Sequence, residues 1–336
     1  MLRILLVIVL GAAALWTGYW FVGARGMDQA LAGWFEARRA DGWVAHYDEL
    51  SVTGFPNRFD VNLAGPELAD PDTGLAWQAP FFQILALSYR PNHVIAVWPP
   101  ESRLATPHET YGLEADDMRA SLVLRPGPRL ALDRATLTAR TLNITRDARA
   151  GTTAVADLSL AAERAPADDA PAYRLGLRAQ GLAPPIPWRN RVDPQGSLPD
   201  TFDTVRADLT VTFDKPWDRT AIEEARPQPR RIRLRLAEAR WGRLELAAAG
   251  ELDVGDDGTP EGEITVKARN WREILELSVR AGALNESLAA TLRDGLALVA
   301  RMAGHPETLD VPLSFSGGRV RLGPVPLGRA PTLELR

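Results

Sequence analysis

From Tyr47 onward, apolar and polar residues alternate with a period of two. Phe59, Val61 and Leu63 alternate with Arg58, Asp60 and Asn62, and Tyr173, Leu175 and Leu177 with Arg174 and Arg178. The cleanest run sets Val205, Ala207, Leu209, Val211 and Phe213 against Arg206, Asp208, Thr210, Thr212 and Asp214. This pattern predicts strands with one face in a core and one in water. Turn clusters rich in Asp and Gly at 70–74, 147–151 and 253–258 each separate two such runs and predict hairpins. A parallel sheet would need a helix between most strands, yet the body holds one helical block, from Trp271 to about Ala303. The expected body is therefore mainly β: a large curved antiparallel sheet with a C-terminal helix pair packed on it. Leu288, Leu292, Leu296, Val299 and Met302 form the stripe expected to face that sheet, with Asn285 or Ser287 as cap and Gly304 as stop.

The N-terminus follows a different rule. Residues 4–24 carry no charge, and at about 1.5 Å per residue they are long enough to cross a hydrocarbon core of about 30 Å. Trp16, Tyr19, Trp20 and Phe21 gather near one end, as in an interfacial aromatic belt. Val22-Gly23-Ala24 loosely fits a signal-peptidase site, but the run is too long and its end too aromatic for a signal peptide. The expected organisation is a transmembrane anchor at 1–24, a membrane-proximal helix at 25–45 and a β-rich extracytoplasmic body at 46–336. In the second segment Leu31, Trp34 and Phe35 share a face, and Gly42 marks a stop. Five prolines between Ala183 and Asp200 predict a linker or extended surface segment that divides the body into two halves. Arg3 and the terminal amine, against Arg25 offset by Asp28, favour the N-terminus inside. The chain is thus expected to be a single-pass protein of an inner membrane, with its body in a periplasm.

The stretch from Ser51 to Gly65 breaks its alternation at Gly54-Phe55-Pro56, where apolar residues pass from even positions (Leu50, Val52) to odd ones (Phe59, Val61, Leu63). Proline cannot donate to a ladder and glycine weakens a strand, so a bend or bulge that changes register is expected, with Phe55 pointing into a ligand groove as the alternative. Phe315-Ser-Gly-Gly318 and the segment 322–328 predict a hairpin followed by an edge segment.

Composition narrows the chemistry. A net charge of −4 gives no reason to expect nucleic acid, and the absence of cysteine excludes disulfides and thiolate chemistry. His46, His93, His108 and His305 are scattered without ligand spacing, and no phosphate-binding, dinucleotide-binding or nucleophile-elbow motif occurs. Asp253, Asp256, Asp257 and Glu261 lack the spacing of a calcium loop and predict an acidic hairpin turn. Arg231, Arg233 and Arg235 share a strand face, where they either pair with acids such as Asp208 or Asp214 or meet lipid phosphates. No catalytic, metal or cofactor-binding residue is nominated, and no cofactor is expected.

The anchor, GFPNRFDV, GLAWQAP, DGTPEGEITVKARNWREIL and the closing GGRVRLGPVPLGRAPTL together resemble a family of alphaproteobacterial envelope proteins of unknown function. More distantly, an anchor followed by a long one-sided sheet resembles the AsmA-type envelope proteins, which implies lipid handling along an apolar sheet face. The expected function is non-enzymatic: holding or passing an apolar ligand such as a lipid. The alternative is an envelope scaffold or assembly factor that contacts another membrane protein through its sheet edge.

Overall fold

The computed structural model of the chain describes residues 2–146, 151–166, 170–223, 225–302 and 307–335. The apolar segment and the amphipathic stretch after it form one helix, α1 (Leu2–Ala40), with no break near residue 24. No proline interrupts this span, so nothing removes a backbone donor. Trp20 and Ala24 are buried, followed along one stripe by Met27, Leu31 and the buried Phe35. Arg38 and Arg39 in the last turn complement the helix dipole, and Gly42 at φ +87° turns the chain.

The strands are, in chain order, β1 (Val44–His46), β2 (Glu49–Thr53), β3 (Arg58–Ala64), β4 (Glu67–Asp70), β5 (Leu75–Gln78), β6 (Phe81–Leu87) and β7 (Arg90–Val97). They continue as β8 (Glu101–Ala105), β9 (Thr110–Glu114), β10 (Asp117–Leu124), β11 (Leu132–Arg146), β12 (Thr152–Ala165), β13 (Ala172–Gln180) and β14 (Thr204–Phe213). The last are β15 (Pro229–Trp241), β16 (Leu244–Val254), β17 (Pro260–Arg269), β18 (Thr308–Ser316), β19 (Arg319–Leu322) and β20 (Val325–Arg329). All belong to one sheet of 20 strands, and every pairing among the described residues is antiparallel.

The sheet forks at β11. The first part of that strand pairs with β10, which leads through β7, β6 and β3 to β2. Its last residues, Asn143–Arg146, pair with β9, which leads through β8, β5 and β4 to β1. Between the two parts Thr141 adopts φ +51° and, like Ala156 opposite it, is unpaired in the ladder to β12, a local break without change of register at which one strand passes from one partner to the other. On its other side β11 opens a simple meander that runs in order from β12 to β20.

Among the described residues four helices follow α1: α2 (Ile186–Val192), α3 (Thr220–Glu223), α4 (Trp271–Arg280) and α5 (Glu286–Met302). The C-terminal pair α4 and α5 packs as expected, with Trp271, Leu275, Leu292 and Leu296 in one cluster with Leu309, Val311 and Val325 of the sheet. Asn285 caps α5, its Oδ1 accepting from Leu288 N at 2.8 Å. The expected stripe needs one correction: Ala289, Leu292, Leu296 and Ala300 are the buried positions, whereas Met302 is 82% exposed. At 100° per residue Met302 stands about 120° around the helix from Leu296, outside the contact arc. Gly304 and the turn residues 147–150 lie outside the described residues.

Two further expectations change. The interruption at Gly54-Phe55-Pro56 is not a bend within one strand but the loop of the β2–β3 hairpin, in which Val52 pairs with Val61 and Leu50 with Leu63. Chain reversal accounts for the change of parity, and both apolar sets do face one core. The proline-rich stretch 183–200 is no exposed linker, because prolines open α2 and Val192 and Leu198 are buried against Trp241. The sheet itself passes beneath without interruption, β13 pairing directly with β14.

Candidate functional site

Alternation on so many strands in register builds one continuous feature. Val52, Val61, Ile84, Ala96, Ala120 and Leu137 are successive cross-strand neighbours from β2 to β11. The row continues through Leu160, Leu177, Ala207, Ala237, Ala248 and Val266 to Val311 on β18. A second row beside it holds Leu122, Ala135, Ala162, Leu175, Leu209 and Leu234. Because successive residues point to opposite sides, these rows form one apolar face.

That face is covered at its two ends. Phe35 and Leu31 of α1 pack on Val61 and Leu63, and α5 packs on Val311. Between these ends Leu122, Leu177 and Leu246 remain 36%, 37% and 40% exposed. A band of large apolar side chains spread over several strands is unusual for a soluble surface, which makes it the candidate site.

The opposite face is a ladder of ion pairs. Arg174 meets Asp208 at 2.7 Å, Arg235 approaches the same carboxylate at 3.6 Å, and Arg240 meets Glu238 at 3.0 Å. Arg231 lies 2.7 Å from Asp253, and Arg233 3.3 Å from Glu251. Arg231, Arg233 and Arg235, the candidates for lipid phosphates, are thus paired to strand neighbours. Each exposed pair is worth only about 0–1 kcal/mol, but together they keep this side solvated and fix which side is apolar.

Three concavities lie on the apolar side. At the anchor end a pocket of about 430 Å³ is closed by Leu31, Trp34 and Phe35 of α1. Leu63, Phe82 and Ile84 from one branch of the fork and Leu68 and Trp77 from the other form its walls. The two branches therefore face each other across this space. Trp98 completes it, its ring 5.0 Å from that of Phe82, and every lining residue is apolar. Farther along, Tyr111, Arg146, Pro185, Trp188 and Arg191 border a space of about 600 Å³. Trp188 also lines a third, of about 210 Å³, with Trp241, Leu246 and Leu277 of α4. The first of these lies within the size range of small-ligand sites and offers no polar group to orient a reaction.

The titratable groups do not converge on this face. His46 sits 3.5 Å from Asp48, His93 bonds Ser121 at 2.9 Å, and His108 is in the turn between β8 and β9. His305 lies outside the described residues. Among the described residues no group of three or more His, Cys, Asp or Glu is arranged to hold a metal ion. Carboxyls held below their ordinary range serve structure: Asp208 through hydrogen bonds from Arg174, Asp218 and Asp70 through Thr220 and Thr73, and Asp257 through Thr259 in the 255–259 turn. Phe55, a candidate for the groove, lies outside it, 52% exposed and stacked on Phe21 at 6.0 Å. Trp77 and Trp98 escaped sequence reasoning, although each sits at a strand end just before a proline-containing turn.

Residues 20–331 match a family described as "Uncharacterized protein conserved in bacteria (DUF2125)". The chain belongs to this family. No curated protein and no solved structure matches it. The match begins inside α1, so DUF2125 takes in the docked part of the helix together with the whole sheet.

Proposed function

We propose that this DUF2125 member is a non-enzymatic, single-pass membrane protein of a bacterial envelope whose body holds or passes an apolar ligand, such as a lipid, along its apolar sheet face. The observation that carries this reading is the apolar row from Val52 to Val311, open in its middle and beginning at an entirely apolar pocket beside α1. Residues 2–40 include a stretch long and apolar enough to cross a membrane, and its N-terminal part is free of the body. The flanking charges favour a body outside the cytoplasm, in a periplasm. The distant resemblance to AsmA-type proteins and to alphaproteobacterial envelope proteins belongs to the same reading.

A scaffold working through a sheet edge is the rival. The edge strand β2 has α1 packed on its side chains Leu50 and Val52, which crowds the approach to this edge, whereas the middle of the apolar face is open. Native mass spectrometry of the full chain, followed by lipid extraction, tests the reading. Co-purifying lipid in near-stoichiometric amount is expected, and a lipid-free chain that instead retains a protein partner would overturn it. Protease added to cells with a permeabilised outer membrane should degrade the body, whereas protection until the inner membrane is broken would refute the orientation.

A further inference from the structure

Three side chains of α1 donate hydrogen bonds to the body at the level of the aromatic belt. Trp16 Nε1 reaches Pro56 O at 3.0 Å, Trp20 Nε1 reaches Arg58 O at 2.7 Å, and Tyr19 Oη reaches Ser88 O at 2.6 Å. Their acceptors lie in the β2–β3 loop, at the first residue of β3 and in the β6–β7 loop, so these bonds hold both loops at a set height on the helix. Counting about 20 residues from Ile4 places the far boundary of a hydrocarbon core near Gly23. Residues 16–20 then lie about 5–10 Å inside that boundary, and the loops lie beside them.

The loop tips are built for that depth. Phe55 is 52% exposed, Tyr89 59% and Leu87 37%, next to Phe21 at 59%. No cluster in the body covers these four side chains. The β6–β7 tip is followed by Arg90, exposed and in position to extend toward headgroup phosphates, whereas Arg58 after the β2–β3 tip is paired with Asp60 at 2.8 Å. Aromatic rings with flanking arginines are the composition of an interfacial anchor rather than of a water-facing turn. A turn in water would favour polar residues at these positions.

We propose that the β2–β3 and β6–β7 hairpin tips insert into the outer leaflet of the membrane that α1 crosses. The body is thereby seated on the bilayer rather than held above it on a stalk. Phe55, Leu87 and Tyr89 enter among the acyl chains, and Arg90 stays at the phosphates. The inference rests on α1 spanning a bilayer, and the experiment separates the two.

The natural chain has no cysteine, so single sites can be spin-labelled without further changes. The full chain carrying Phe55→Cys, Tyr89→Cys, Leu10→Cys or Asp72→Cys is reconstituted into liposomes of phosphatidylethanolamine and phosphatidylglycerol. Oxygen and nickel-chelate accessibilities then report depth. Leu10 marks the middle of the spanning segment, and Asp72, exposed in the β4–β5 turn near the far end of α1, marks water. Labels at 55 and 89 are expected to show oxygen accessibility well above, and nickel accessibility well below, the label at 72. Water-like values at either tip, with a deep value at position 10, overturn the insertion and leave the spanning reading intact. Water-like values at 10 as well remove the spanning reading and this inference with it. Tyr89 makes no ring contact, so its variant keeps the test valid if Phe55→Cys disturbs the hairpin. Retention of lipid by the groove is read separately by mass spectrometry.

Discussion

Replacing Leu296 by Ala should destabilise the body far more than the same change two residues away at Leu298. Leu296 is 1% exposed and packs within the cluster that joins α5 to β18 and β20, whereas Leu298 is 61% exposed on the outer side of the helix. The wall around Leu296 has little room to collapse. Gly295 beside it approaches β20 so closely that an added Cβ would lie 2.6 Å from Val325 Cγ2. A cavity that stays open adds its own cost to the lost transfer energy, which places Leu296→Ala at about 2–5 kcal/mol. At about 2–4 °C per kcal/mol for a domain of this size, the melting midpoint should fall by roughly 5–15 °C. Leu298→Ala removes nothing buried and inserts a better helix former, so its effect should stay within about 0.5 kcal/mol. The assay is a thermal melt of the full chain in detergent followed by circular dichroism. Equal shifts for the two variants would show that α5 is not seated on the sheet, and the covered end of the apolar face would then be open.

Trp77→Glu places a carboxylate in the apolar pocket from a half-exposed strand position, so the melt should change little while co-purifying lipid falls by roughly tenfold or more; unchanged lipid would move the binding site elsewhere on the face. Gly54→Val should cost about 1–3 kcal/mol, because Gly54 has φ +101° and an added Cβ would meet Arg58 O at 2.9 Å; Gly33→Ala, with open space around it, should cost nothing in the same melt. Hydrogen bonds from Arg174 hold the Asp208 carboxyl below its ordinary value of 3.8. The stability this contributes is full above pH 3.8 and is lost as pH falls through the lowered folded value. Asp208→Asn should therefore be less stable than the natural chain in urea at pH 7, with the gap narrowing as pH falls below 3.8, and a gap that does not narrow would refute the assignment.

Much of the sheet was legible because alternation is a local signal that registers on every strand. Val205 to Phe213 shows it without a slip, and β14 forms there as a strand with Val211 and Phe213 buried, although residues 207–210 are all half-buried. The C-terminal helices were legible for the same reason at a period of 3.6, down to Asn285 as cap. What a local pattern does not carry is the partner. The parity change between Val52 and Phe59 fits a bend and a hairpin equally well, and only the pairing of Val52 with Val61 decides between them. The fork at β11 depends on Thr141, a residue with no turn signature, adopting a left-handed conformation. The pocket was hidden for a related reason, because Trp34, Trp77 and Trp98 are far apart in sequence and meet only when the two branches close around α1. Stability reasoning from alternation finds the apolar face, but whether that face is covered is a tertiary fact.

The position of the pocket relative to the bilayer bears on how a lipid would reach it. The loops touching Trp16 and Trp20 and the pocket wall at Leu31 and Phe35 are separated by about 22 Å along α1. With the boundary near Gly23 the pocket wall stands about 15 Å beyond the hydrocarbon core, so a lipid would have to leave its leaflet to fill the pocket. An acyl chain drawn through water loses about 0.8 kcal/mol for each methylene exposed, and ten methylenes already amount to about 8 kcal/mol, a barrier that makes unassisted transfer slow. Phe59, Val61 and Leu63 form successive apolar steps on β3 from the level of Trp20 to the pocket wall. If the hairpin tips sit in the leaflet, the first of these steps begins where the acyl chains are, and the chain need never cross open water. If the body instead stands clear of the bilayer, the full solvation cost returns, and a pocket of this composition would fill only during assembly in the membrane. Lipid exchange between labelled liposomes and the reconstituted chain distinguishes these cases. Exchange that slows sharply when Phe55 and Tyr89 are both replaced by Asp, with the melt unchanged, is the outcome expected from a seated body; an unaffected rate would separate the groove from the tips.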